Sequence, residues 1–550
     1  MKYAVLPLLA LLLSCAPKPV PPAPQGKAIA PVLSGMGDIH IAVASASPTA
    51  VQFVRQGLAL VYAFNHDEAA RSFREAARHD PNCAMAHWGL ALALAPNIND
   101  PTPSPEREQE AFDAIRKAQA LASNAPASEQ AYIAALANRF SAEKGKDRLR
   151  LNKAYAAAMK DVALRFTDDP DAQALYADAV MNTMPWQYWG KDGRARPEIP
   201  PVVDLIERTL ARWPDHTGAN HLYIHLVEAS ATPDRATAAA ERLAKLAPAA
   251  GHLVHMPSHI YIRTGRYADS VKANAEAVKA DDSYLTQCRN QGLYPMAYHP
   301  HNWHFLAVSA MMLGDAQQAV DASRKMAARL HHDVMAQKEW ATIQYYFAFP
   351  MFAMARFSEW DNILKEPQPD AKLRWANAVY RYTRSLAYIA KNQPAQASAE
   401  LAQLKSIAAE PLFREMAVGG INGMADLLAI AIATLEGEMA ARRKDYTQAI
   451  DRLEYAVRVE DGLSYNEPPD WYYPARHSLA AVLLEAGRAA EAETVLWEDL
   501  RRNPENGWSL AALIESLRAQ NKTERIAELQ KRLDAAWAKN VPKPKSSRLL

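Results

Sequence analysis

The chain repeats itself at an interval of 34 residues. His221 and His255 stand 34 apart, as do His225 and His259, and so do Pro214 and Pro248. A period of this length marks an array whose units are helix pairs, in which neither helix buries its apolar face until the next unit stacks on it. A chain of 550 residues is too long for one simple core, and an array escapes that limit by adding units. Alanine abounds, only 20 residues are glycine, and few stretches alternate with period two, so the expected class is all-α. The 62 basic and 61 acidic residues leave no excess charge to hold nucleic acid or acidic lipid, and no nucleic-acid partner is expected.

The units have a recognisable pattern. In "AFNHDEAARSFREAARHDPNC", Ala69, Phe73, Ala76 and Pro81 stand at the spacing of a tetratricopeptide repeat. The segments starting at Thr264, Arg443 and Glu485 resemble the same repeat. The resemblance implies a right-handed helical solenoid over about residues 48–540, with histidine-rich repeats at about 215–330 and a tail at 541–550. Four insertions interrupt it, at residues 96–105 and in loops starting near Met184, Gln287 and Ser464. Long loops on a rigid array often shape a site. "NCAMAHWGLALALAPNIN", "GHLVHMPSHIYIRTGRY" and "YNEPPDWYYPARHSLA" resemble segments of exported bacterial tetratricopeptide proteins. That resemblance implies export and a solenoid, and it implies no activity.

The first residues carry an address. One lysine precedes an apolar run from Ala4 to Leu13, too short to span a bilayer permanently but suited to export. The run ends in "LLSC", which resembles a lipobox, with 1–15 as signal and Cys15 as the lipidated first residue of the mature chain. Residues 16–47 begin as a tether in which Pro17, Pro19, Pro21, Pro22 and Pro24 favour extended chain. Ala16 is not the aspartate that retains lipoproteins at the inner membrane, so the expected destination is the outer membrane, facing the periplasm. Cys83 and Cys288 are 205 residues apart and are read as two separate thiols.

Nine of the 16 histidines lie between His216 and His304, so they are concentrated where the repeat is clearest. Two histidines four apart share a helix face. Framed by the repeat, His221, His255, His304 and His477 fall fifth, His225 and His259 ninth, and His252 and His301 second. The tetratricopeptide resemblance implies that these positions, with the twelfth (Glu228), line the concave groove. Adjacent helices run about 8–10 Å apart, within reach of two converging imidazoles. His221, His225, His255 and His259 are therefore expected to surround one zinc or copper ion, with His252, His301 and His304 extending the site or holding a second. Glu228 is read as a ligand, an acceptor orienting a histidine, or a base acting on metal-bound water. Trp186 and Trp189 are placed on the groove wall, and His477 is expected to line the groove. Tyr345, Phe349 and Phe352 are read as core.

Three functions compete. The leading one is a binding protein whose groove takes a metal together with a peptide, an envelope protein or a small molecule. The others are a metal-dependent hydrolase or oxidase and a metal-free interaction scaffold. No nucleophile elbow, phosphate-cradling glycine loop or dinucleotide fingerprint is present, which argues against familiar enzyme folds. Replacing Cys15 with Ser is expected to release the mature chain into the soluble fraction. Continued fractionation with membranes would show that Cys15 is not the anchor.

Overall fold

The computed structural model describes residues 27–548 except 144–146, 289–293, 338–339, 341–342, 540 and 545. The export signal, Cys15 and the first part of the tether lie outside the described residues. The chain is all-α, a tetratricopeptide-type solenoid. Among the described residues the strands are a two-residue pair, Ala417–Val418 against Asn422–Gly423. Helix pairs run from Pro48–Tyr62 with His66–His79 to Gly507–Ala519 with Ile526–Ala536. The helices pack chiefly on their sequence neighbours, and the first helix of many pairs also touches the first helix of the next.

The turns inside the pairs show why the period is regular. Gly265 and Gly314 adopt the left-handed conformation, with φ of 75° and 78°. The next amide then reaches back five residues: Arg266 N–H to the Tyr261 carbonyl at 2.8 Å, Asp315 N–H to Ala310 at 2.9 Å. Asn392 and Asn521 occupy the same conformation, and Gln393 and Lys522 make the same bond. This is the hydrogen bond of a helix closed by a left-handed residue. In the first pair the position falls to Phe64, at φ 55°, with Asn65 N–H on the Leu60 carbonyl at 2.8 Å.

Packing between units is close. The Phe73 ring lies between two glycines. A β-carbon on Gly57 would come within 2.6 Å of the ring and one on Gly89 within 2.0 Å. Phe73 thus joins the first pair to the helix Ala84–Leu94 with no room for another methyl.

The sequence places the histidines on an open stripe, and the structure corrects this. Curvature and long loops close the concave side. Lys191 donates to the Gly462 carbonyl, Arg263 stacks on Tyr465 at 5.5 Å, and Trp508 Nε1 donates to the Met311 carbonyl at 3.0 Å. The N-terminal segment also docks, through Ala249 N–H to the Gly35 carbonyl at 2.9 Å. His221, His225, His252, His255 and His259 are all buried.

Replacing Gly89 with Ala overpacks the Phe73 seat and is expected to destabilise the fold by about 1–3 kcal/mol. A thermal melt followed by far-ultraviolet circular dichroism checks this; an unchanged midpoint would show that the seat yields freely.

Candidate metal centre

The helix Thr217–Val227 carries His221 and His225 one turn apart, with Glu228 as its C-terminal cap. In the next repeat Gly251–His255 and Pro257–Arg263 follow one another across Met256. Pro257 has no amide hydrogen and marks this break, yet His255 and His259 still meet edge-on, with ring centroids 4.8 Å apart. His301 enters from the helix His299–Leu313.

The imidazoles form two groups. His221, His225 and His252 bring ligand atoms within 4.8 Å of one another, and so do His255, His259 and His301. The four histidines expected around one ion are thus divided between two sets, each completed by a histidine from a second-position site.

Four of the rings are anchored at Nδ1. His221 Nδ1–H donates to the Tyr62 carbonyl at 2.6 Å, and His225 Nδ1–H to Glu228 Oε1 at 2.9 Å. His259 Nδ1–H donates to Glu228 Oε2 at 2.5 Å and also meets Glu467. His255 Nδ1 meets Asn274 Oδ1 at 2.7 Å. The Asn274 amide is oriented by its Nδ2, which donates to the Ser270 carbonyl at 2.7 Å, so His255 must be the donor. These bonds assign the Nδ1 proton and leave the Nε2 atoms of all four rings facing inward.

The Nε2 atoms then meet one another. His255 and His259 approach to 2.8 Å, and His221 and His252 to 3.2 Å. His225 Nε2 is buried and has no hydrogen-bond partner. Two lone pairs at such distances repel unless a proton or a cation stands between them; His252 Nδ1 has no hydrogen-bond partner, so His252 Nε2 can carry the proton toward His221. Zinc–imidazole bonds of about 2.0–2.1 Å put two nitrogens of one tetrahedral ion about 3.3 Å apart. The His221–His252 separation fits that edge, and the His255–His259 separation is somewhat shorter.

The electrostatics favour the neutral form at five of the six imidazoles. Burial, reinforced by neighbouring imidazoles, holds His221, His225, His252, His255 and His301 well below the usual histidine value. Burial acts the same way on His259, but Glu228 and Glu467 outweigh it and hold it up to about 10. Burial and the nearby Glu228 push the Glu467 carboxyl up to about 8. Metal ions compete for the Nε2 position that the proton otherwise takes.

Aromatic rings wall the cluster. Phe64 lies 4.4 Å from His221, 5.6 Å from His225 and 5.5 Å from His252. Trp186 meets His225 edge-on at 5.2 Å, and Trp189 Nε1 donates to the Leu226 carbonyl at 2.7 Å. Both Phe64 and Trp186 have positive φ, an uncommon conformation for bulky residues that costs of order 1–3 kcal/mol and concentrates at functional sites. Phe305 packs on the second group, 4.6 Å from His255 and 4.7 Å from His259.

Other expected residues fall elsewhere. His304 packs on Phe349 at 4.4 Å and on Tyr345 at 5.5 Å, and it belongs to neither group of potential ligands. Tyr345, Phe349 and Phe352 are core, as read. His477 does not line a groove. It is fully buried, accepts from Arg356 Nη2 at Nδ1 (3.0 Å) and donates through Nε2 to Asp499 at 3.1 Å. Cys83 is a buried free thiol. Glu228 has an oxygen on each of two imidazoles, which is the geometry of an orienting acceptor. Sequence reasoning missed Glu467, Asn274 and Phe64. Glu467 lies in the loop starting at Ser464, which stood out as an insertion; nothing in its local pattern paired it with His259.

Fold and cluster together define an all-α tetratricopeptide-type protein that encloses a histidine-rich site. No protein-family model matches the chain, and no curated protein matches it by sequence. Among solved structures it is similar to the human IFIT1 dimer with m7Gppp-AAAA, at 13% identity and a TM-score of 0.32, covering 82% of this chain and 89% of that one. It is also similar to the human IFIT1 dimer with PPP-AAAA, at 12% identity and a TM-score of 0.30, covering 89% and 91%. The exclusion of nucleic-acid partners is corrected on this finding, because those structures contain RNA. Net charge sums the whole surface and does not report local patches. The likeness assigns no RNA to this chain.

The Asp499 network makes a separate prediction. Burial pushes its carboxyl up, but His477, Ser509 and Asn503 reverse this and hold it below the usual value. A depressed carboxyl stabilises the fold above its unfolded value of about 3.9, and that contribution is lost as pH falls through the folded value. Asp499→Asn is expected to lower the melting point at pH 7, with the gap to wild type narrowing below about pH 4. A constant gap across melts from neutral to acid pH would remove the charge from the explanation.

Proposed function

We propose that this is an envelope metal-binding protein that encloses zinc or copper in the histidine cluster, with Cys15 as its lipid anchor. One observation carries the metal reading: His221, His225, His255 and His259 have their Nδ1 atoms tied to oxygen acceptors, the Nε2 atoms of His255 and His259 meet at 2.8 Å, and buried His225 Nε2 has no hydrogen-bond partner. Oxygen acceptors behind metal-binding imidazoles fix the tautomer and orient the ring. Imidazole suits zinc and copper, and the groups contain no thiolate. The envelope address rests on the lipobox resemblance and the prolyl tether.

The structure of the cluster favours binding over hydrolysis by Glu228. A base must reach metal-bound water, and here both carboxylate oxygens face imidazole Nδ1 atoms. The ligands are also enclosed, which suits a held ion or a small ligand better than a large substrate in an open groove.

The test is elemental analysis of the chain purified without a histidine tag, compared with a His225→Ala/His259→Ala variant. Wild type is expected to retain zinc or copper through dialysis, and the variant to lose it. Because both side chains are buried, the variant is also expected to melt lower while keeping its helical spectrum at room temperature. A folded variant that keeps its full metal content would place the ligands elsewhere.

A further inference from the structure

Six imidazoles are more than one tetrahedral ion takes, and they do not converge on one point. They divide into His221, His225 and His252 on one side and His255, His259 and His301 on the other. The groups are in contact: His225 and His259 have ring centroids 5.5 Å apart, and His252 and His255 5.9 Å. Each group has its own aromatic wall, Phe64 for the first and Phe305 for the second. Glu228 joins them, with Oε1 on a ring of the first group and Oε2 on a ring of the second.

We infer that the cluster is a binuclear centre, with one ion in each three-histidine group and Glu228 as the shared orienting carboxylate. This rests on the metal-binding reading above. Three features support two ions over one. Each group alone supplies the three protein nitrogens of an open zinc or copper site, which leaves a coordination position for a small ligand such as water. Buried His225 Nε2 has no hydrogen-bond partner and belongs to the first group, so an ion confined to the second leaves it unpaired. Two adjacent cations repel, and the buried Glu228 carboxyl, with an oxygen on a ring of each group, stands between them. A rival arrangement exists, because His225, Glu228 and His259 also bring ligand atoms within 4.8 Å. It makes Glu228 a ligand and competes with the hydrogen bonds that Glu228 accepts.

The experiment loads the full-length, tag-free chain with zinc and, separately, with copper(II), removes loose metal by dialysis and counts ions per chain by mass spectrometry. Two ions are expected in wild type, and one each in His252→Ala and His301→Ala. Glu228→Gln is expected to keep two, bound about 10- to 100-fold more weakly. Electron paramagnetic resonance of the copper form is expected to show the half-field transition of two coupled ions, which surface-bound copper does not give. His252→Gln and His301→Gln serve if the alanine variants fail to fold, and the wild-type resonance signal depends on no variant. One ion in wild type overturns the binuclear inference and leaves the metal-binding reading standing; none overturns both. Loss of both ions from each single variant, or loss of an ion from Glu228→Gln, overturns the division into two groups. Two ions without the coupled signal also overturn it.

Discussion

A helix pair of this kind cannot bury its apolar face alone, and everything else in the structure depends on the stacking that solves this. The Phe73 ring in its glycine seat shows how tight the joint is. The left-handed residues at several turns, each followed by an amide that reaches back five residues, close the first helix of those pairs in the same way. Because the register is regular, residues one period apart on first helices become neighbours in space. That carries His221 and His225 to the side of His255 and His259.

Burial then changes what those histidines are. An exposed imidazole near neutral pH shares its protons with water. A buried one loses that exchange and is driven toward the neutral form. The Tyr62 carbonyl, Asn274 and Glu228 then choose the tautomer by taking the Nδ1 hydrogen. The protein thereby presents several nitrogen lone pairs to one another in a small volume walled by Phe64, Trp186 and Phe305. His259 differs because two carboxylates flank it. The cluster is organised by its oxygen acceptors as much as by its histidines.

The local signals were legible where they repeat. The all-α class, the helix pairs and the adjacency of the two HxxxH pairs follow from periodicity, because stacking converts a sequence interval into a spatial one. The core placement of Tyr345, Phe349 and Phe352 was legible as well. His477 misled for a related reason: it shares the repeat position of His221, yet its neighbours are Arg356 and Asp499, so it closes a polar network in the C-terminal repeats. A repeat position specifies a direction from the helix axis and leaves the neighbour undefined. His304 likewise meets the aromatic helix Gln344–Arg356 where the histidine repeats end.

By itself, then, the sequence determined the repeating helix pairs and the helical faces carrying the histidines, since both depend on contacts within one or two periods. Only the tertiary structure decided that the concave side is closed, that six imidazoles sort into two groups, and that Glu228 spans them while Glu467 arrives from a distant loop. The His259–Glu467 contact joins residues 208 positions apart. Such a contact depends on the accumulated curvature of the units between them, and no local pattern encodes that sum.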